Sequence, residues 1–231
     1  MIGILGGMGT QAGLDFCNKL TKLNRGKLDQ QYPMFVLYNK SNTPKRPENL
    51  KKYYNVLKAL VDGCKMLEKN KCKFIVMPCN TAHYWHDDIQ KKIKIPLLSM
   101  PKEVYKYTKK TCKKNSTIGI LCTEATLKTK VYSKYFKRNF YLISPKQKIQ
   151  KNSVNKAIKY VKMGNVKEAE KVLRPAVKYL IKKKCKKIIL GCTELPIAIF
   201  AYKSFKKAKD SKIFIDPNLL LAEVCMKKYR K

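Results

Sequence analysis

The sequence predicts an α/β protein made of two similar parallel-sheet halves. Three observations carry this: apolar runs of strand length alternate with longer amphipathic stretches, two separate segments recur in the same order, and no low-complexity linker interrupts the chain. The runs at residues 2–5, 34–38, 74–77, 97–99, 118–122, 188–190 and 213–215 are short and nearly all apolar, as strands covered on both faces are. Residues 50–68, 154–163 and 169–181 carry apolar positions at helical spacing. Strands alternating with helices in this way imply parallel sheets.

The repeat supplies the domain organisation. Ile2-Gly3-Ile4-Leu5 returns as Ile118-Gly119-Ile120-Leu121, an offset of 116. The stretch from Cys72 to Thr81 (Cys-Lys-Phe-Ile-Val-Met-Pro-Cys-Asn-Thr) returns from Cys185 to Glu194 (Cys-Lys-Lys-Ile-Ile-Leu-Gly-Cys-Thr-Glu), an offset of 113. Offsets this long exceed solenoid periods and indicate a duplicated domain. The expected division is 1–101 plus 210–231 for the first half and 102–209 for the second, with the last strand and final helix returning to the first. Two flavodoxin-like halves of this kind are expected to pack about a pseudo-two-fold axis, with a cleft between them.

Composition bounds the function. The 231 residues include 52 Lys and Arg against 15 Asp and Glu, a net charge of +37. Such a field attracts nucleic acid, anionic surfaces and acidic metabolites alike. The lysines are scattered along the chain, however, and lack the aromatic interleaving of a single-strand platform, so a solvated surface is expected and nucleic acid is not. No apolar run reaches the length of a membrane span and no secretory leader is visible, so a cytoplasmic protein is expected. The nine cysteines are odd in number and lack any Cys-x-x-Cys pair, which argues for reduced thiols over disulfides or a zinc ribbon.

Two of these cysteines stand apart. Cys64, Cys122 and Cys225 sit in apolar periodic stretches and read as small core fillers. Cys79 and Cys192 instead follow buried strands at repeat-equivalent positions, and each precedes polar residues suited to a helix start, Asn80-Thr81 and Thr193-Glu194. Sites in open parallel sheets lie beyond the carboxyl ends of the strands. Helix-start N–H groups there bind carboxylates and are expected to lower a thiol's pKa modestly. One thiol on each wall of a shared cleft suits inversion of a carbon stereocentre, in which one face loses a proton and the other gains one.

Other signals are weaker. Gly7-x-Gly9-x-x-x-Gly13 has its third glycine one position late for a dinucleotide loop, and no acidic partner closes the fingerprint; the expected role is backbone contact with a substrate carboxylate, through Met8, Gly9 and Thr10. His83, His86, Asp87 and Asp88 are too loosely spaced for a metal site, and none is expected. His83 reads either as an orienting partner of Cys79 or as a helix-surface histidine. Trp85 reads as packing, and Asp216-Pro217-Asn218 as a strand end and capped helix start. Glu194 either sets the protonation of Cys192 or caps a helix.

Gly6-Gly7-Met8-Gly9-Thr10, Pro78-Cys79-Asn80-Thr81-Ala82-His83, Leu190-Gly191-Cys192-Thr193-Glu194 and the stretch Ile118 to Thr126 together resemble the aspartate/glutamate racemase family, whose members act without pyridoxal phosphate. The resemblance spans residue 2 to about Asp216. It implies that Cys192 deprotonates the L-substrate and Cys79 the D-substrate, with no cofactor. It also implies that Asn80, Thr81, Thr123, Thr126 and Thr193 hold the carboxylate and amino groups, and that Arg46 and Lys162 grip a side-chain carboxylate. The Gly-Gly-Met-Gly opening, and Glu194 where cell-wall glutamate racemases carry His, place the chain nearer the aspartate branch. A small acidic amino acid is thus the implied substrate and a homodimer the implied assembly. Decarboxylases and cis–trans isomerases of small dicarboxylic acids share the superfamily and stand as the alternative; a basic nucleic-acid-binding protein is the distant one.

Overall fold

The computed structural model describes residues 1–24, 28–45, 53–201, 205–210 and 212–230, with Lys207 described by its backbone alone. The chain divides into two compact units, residues 1–103 with 218–231 and residues 104–217.

The first unit contains β1 (Ile2–Gly6), α1 (Thr10–Leu23), β2 (Phe35–Asn39), α2 (Tyr53–Lys69), β3 (Phe74–Val76), α3 (His86–Gln90) and the start of α4 (Met100–Thr111). Its strands are parallel in the order β2-β1-β3. An isolated parallel bridge from Ile75 to Leu97 extends the sheet by one short position, where the sequence predicts a strand. The alternation along β1 assigns its two faces. Ile2 and Ile4 join Phe16, Leu20, Phe74 and Leu221 in one core, while Leu5 joins Val56, Leu60 and Ile75 in the other. Helices therefore cover both faces, which is why the strands read as nearly uninterrupted apolar runs.

The second unit continues α4 and adds β4 (Ser116–Cys122), α5 (Glu124–Lys128), α6 (Ser133–Phe136) and β5 (Phe140–Ile143). Next, α7 (Gln147–Ile149) runs through a π-helical turn, Gln150–Asn155, into α8 (Lys156–Lys162). There follow α9 (Val166–Lys182), β6 (Lys187–Gly191), α10 (Leu195–Ala201), α11 (Lys206–Asp210), β7 (Phe214–Ile215) and α12 (Pro217–Tyr229), most of which belongs to the first unit. The strands are again parallel, in the order β5-β4-β6-β7. Counting the Leu97 bridge, both sheets have the same order relative to their first strand.

The duplication extends to packing detail. Helices α2 and α9 end in the same left-handed turn, with Lys71 at φ 58° and Lys184 at φ 56°. In each, the next amide reaches back five residues to a leucine carbonyl, Cys72 to Leu67 at 3.3 Å and Cys185 to Leu180 at 3.2 Å, which satisfies a helix-end acceptor. That leucine and that cysteine then press on the glycine of the central strand. A β-carbon on Gly3 would stand 3.2 Å from Cys72 Sγ and 3.3 Å from Leu67 Cβ; one on Gly119 would stand 3.2 Å from Cys185 Sγ and 2.9 Å from a Leu180 methyl. The first cysteine of the repeated motif is thus a helix-to-strand packing residue. Cys64, Cys122 and Cys225 are fully buried fillers, and all nine cysteines are free.

Two expectations need correction. The run at 213–215 does not return to the first half: β7 pairs with β6, Ile188 to Phe214 and Ile189 to Ile215. The chain passes back at residue 218 rather than 210. An apolar run looks the same whichever sheet it joins, and only its partner strand decides. One further strand, β5, lies outside the expected set; it forms an edge and exposes Tyr141. Among the described residues, no helix is long and apolar enough to cross a membrane.

Candidate active site

In the first unit the candidate residues collect beyond the carboxyl ends of adjacent strands. After β1, Gly7 adopts φ 87° and passes so close to the Lys40 backbone that a β-carbon would lie 2.2 Å from the Lys40 carbonyl carbon. Only glycine fits there. Met8 is buried behind it, Gly9 precedes α1, and Thr10 opens that helix, its hydroxyl accepting from Asn39 Nδ2 at 3.2 Å. Gly13, one turn on, lets α1 approach Gly6 of the strand. The late third glycine therefore serves helix–strand packing.

Beside this loop, β3 leads into Cys79, Asn80 and Thr81, all buried. The Cys79 amide donates to the Met77 carbonyl at 2.7 Å, and a 3₁₀ turn begins at Thr81. His83 is buried, not on a helix surface. Its Nε2 accepts from the Met100 amide at 3.1 Å, which puts the ring proton on Nδ1; Nδ1 then donates to the Cys79 carbonyl at 2.9 Å. His83 thus ties the backbone of Cys79 to the start of α4. His86 reaches the Leu97 carbonyl at 2.9 Å, so both histidines brace the same neighbouring segment. Trp85 is fully buried against Tyr53 and Tyr84.

In the second unit, Thr123 stands where the first has Gly7. It is extended, φ −69° and ψ 155°, and its hydroxyl caps α5 by accepting the Thr126 amide at 3.1 Å. The two threonine hydroxyls lie 3.0 Å apart. Next to them, β6 delivers Cys192, Thr193 and Glu194, all buried. The Cys192 thiol donates to Glu194 Oε2 at 2.9 Å, and the Thr193 hydroxyl donates to the same oxygen at 3.3 Å. The other carboxylate oxygen faces Lys162 Nζ at 3.8 Å.

This geometry corrects the expected lowering of the thiol pKa. Burial pushes Cys192 well above the ordinary thiol value, the negative charge of Glu194 and its hydrogen bond push it further, and Lys162 and a backbone contact oppose them. Burial, together with a carboxylate in direct contact, outweighs the effect expected of a helix start. Of the two readings of Glu194, contact with Cys192 is the one observed.

Two residues of this region carry no recognisable signal in the sequence. Tyr132 is buried, and its phenol is pushed well above its ordinary range by burial and by the neighbouring Cys122, Asp216 and Cys192. Gln150, in the π-helical turn, donates from Nε2 to the Cys122 carbonyl at 2.8 Å and to Asn155 at 2.9 Å; Asn155 donates in turn to Glu124 at 2.7 Å. Both lie in lysine-rich stretches without periodic markers. Arg46 lies outside the described residues. The remaining candidates divide between the units: Met8, Gly9, Thr10, Cys79, Asn80 and Thr81 in the first, Thr123, Thr126, Lys162, Cys192, Thr193 and Glu194 in the second. Among the described residues, no group of three or more His, Cys, Asp or Glu is arranged to hold a metal ion.

A family model of Asp/Glu/Hydantoin racemase matches residues 5–225. The chain belongs to this racemase family. The broad specificity amino-acid racemase RacX of Bacillus subtilis is 32% identical over 199 residues, covering 84% of this chain and 86% of that protein. Among solved structures, Picrophilus torridus aspartate racemase superposes with a TM-score of 0.80 at 31% identity, over 100% of this racemase-family chain and 94% of the other. A glutamate racemase from Francisella tularensis, solved with D-glutamate, has the same fold, with a TM-score of 0.69 at 21% identity over 98% and 79% of the two chains.

Proposed function

We propose that the protein racemises a small acidic amino acid, aspartate in preference to glutamate, without pyridoxal phosphate or metal. One thiol removes the Cα proton and the other delivers a proton to the opposite face. The supporting observation is that two free, buried cysteines end equivalent strands of a duplicated fold in a chain of this family. Cys192 acts on the L-enantiomer and Cys79 on the D-enantiomer. Charge developing on the substrate carboxylate during proton removal is met by hydroxyl, amide and backbone N–H donors of both strand ends, the interaction that lowers the barrier most. Lys162, with Arg46, holds the side-chain carboxylate, which makes aspartate the favoured substrate.

A wider amino-acid range is the second reading, and the similarity to a broad-specificity racemase supports it. One experiment addresses both. The protein is incubated with a panel of L-amino acids in D₂O and followed by proton NMR and chiral chromatography. Aspartate is expected to gain solvent deuterium at Cα as its D-enantiomer appears. Cys79→Ser and Cys192→Ser are each expected to slow this by at least ~10²-fold, the scale of a general acid–base contribution. Equal turnover of neutral amino acids would replace aspartate with the wider range. Racemisation that persists in both serine variants would end the two-thiol mechanism.

A further inference from the structure

The lysines of the second unit are scattered along the chain but gathered by the fold. In a parallel sheet every strand begins at the same end, so the helix-to-strand connections before the four described strands of this unit meet there. Hydrogen bonds join them in strand order. The Asn115 amide donates to the Asn139 carbonyl at 2.7 Å, the Lys186 amide to the Thr117 carbonyl at 2.9 Å, and Lys187 Nζ to the Lys212 carbonyl at 2.6 Å. The connections lie at residues 109–114, 134–138, 182–187 and 206–210 with 212, and they carry sixteen Lys and Arg against one acid, Asp210. The whole chain has 52 against 15, so this rim is far more one-sided. The unit's other five acids lie towards the opposite end. Glu124, Glu194 and Asp216 follow strands, and Glu168 and Glu170 occupy the first turns of α9, whose last turn reaches the rim. A helix dipole favours cations in a last turn, but half of the sixteen stand in the connections beyond the helices.

Aromatic rings border the rim. Tyr141, the second residue of the edge strand β5, is 63% exposed. Tyr135 and Tyr179 lie beside rim lysines, with Lys134 Nζ 5.1 Å and Lys183 Nζ 6.0 Å from the ring centroids. Four adjacent strand starts span about 15 Å, the length of about four stacked nucleotides. We propose that this amino-terminal rim of the second unit's sheet binds single-stranded nucleic acid without regard to sequence. Lysines of the connections neutralise phosphates, and Tyr141 stacks on a base. An exposed ring favours a single strand, because bases inside a duplex offer no free face. Thr123 lies beyond the other end of β4, about 20 Å away along the strand. The surface is therefore separate from the candidate site residues of this unit and does not rest on the racemase reading.

The test titrates the full chain against fluorescein-labelled poly-U and poly-dT of ~16 nucleotides, and against a duplex of the same length, by fluorescence anisotropy at rising KCl. The single strands are expected to bind more tightly than the duplex, with affinity falling steeply with salt; poly-U against poly-dT separates RNA from DNA as the ligand. Lys113→Gln/Lys114→Gln/Arg138→Gln, all exposed rim positions, is expected to weaken binding at least ~10-fold and to lower the log–log salt slope by about 2, at ~0.7 per phosphate contact. Lys58→Gln/Lys65→Gln/Lys69→Gln, exposed on α2 of the first unit, removes the same charge and is expected to change affinity by less than ~2-fold. Tyr141→Ala is expected to weaken single-strand binding at least ~5-fold with the salt slope unchanged. Racemisation in D₂O is expected to be unaltered in the rim variants. Equal losses in the two triple variants would overturn the rim, because net charge alone would then account for binding. A duplex that binds as tightly as the single strands, with Tyr141→Ala silent, would overturn the single-strand assignment. Retention on phosphatidylserine vesicles without oligonucleotide binding would replace nucleic acid with a membrane surface. Rim-dependent binding in a protein that racemises no amino acid would leave this surface standing and remove the racemase reading instead.

Discussion

The strand end carrying Cys79 and the one carrying Cys192 share a scaffold and differ in chemistry. Both stand beside a central strand whose glycine receives a leucine and a cysteine from a left-handed helix end, Leu67 and Cys72 on Gly3, Leu180 and Cys185 on Gly119. Beyond the sheet the halves diverge. Gly7 in one is Thr123 in the other; beside the cysteine, one has a histidine bound to the main chain and the other a carboxylate that meets the thiol. Packing against a helix constrains shape tightly, so the buried frame has kept its residues. Loops at strand ends are freer, and there the copies have taken separate roles.

The shared frame can be broken first, where the effect is largest. Leu67→Ala and Leu180→Ala each empty a fully buried leucine site and are expected to destabilise by about 2–5 kcal/mol in urea unfolding. Similar losses in both would support equivalent packing; a much smaller loss in one would show that the repeat is only superficial there. The divergent loops give the next test. Gly7→Ala forces a side chain into the Lys40 backbone at positive φ and is expected to cost about 2–3 kcal/mol, measured by the same unfolding. The equivalent position in the second half tolerates glycine, and Thr123→Gly is expected to cost only a few tenths of a kcal/mol. The smallest effect sharpens the contrast in capping. Thr123→Ala removes the hydroxyl that accepts the Thr126 amide and is expected to cost about 1 kcal/mol in thermal unfolding. An unchanged melting temperature would show that the cap contributes nothing.

The alternation of strand and helix is legible because the strands are covered on both faces and leave dense apolar runs. The positions of Cys79 and Cys192 are legible because a duplication repeats its frame, and residues around a packed glycine resist change. What could not be read is instructive. The run at 213–215 carries no mark of which sheet it joins. His83 reads either as an orienting partner of Cys79 or as a helix-surface histidine, and its sequence position does not say that it is buried and reaches the Cys79 carbonyl. Tyr132 and Gln150 come to the second strand end from segments 60 and 42 residues earlier than Cys192, through turns whose composition is ordinary for this lysine-rich chain.

The sequence by itself determined the class of fold, the duplicated strand ends and the identity of the paired cysteines, because each depends on local periodicity or on comparing the chain with itself. Only tertiary structure decided the direction in which the Cys192 thiol is shifted. A helix start alone would lower its pKa, and its actual environment sets a buried carboxylate 2.9 Å away from the sulfur, with a lysine on that carboxylate's far side. The shift is set by how deeply the thiol is buried and by which charges the fold brings beside it, so its sign belongs to geometry that no spacing in the chain encodes.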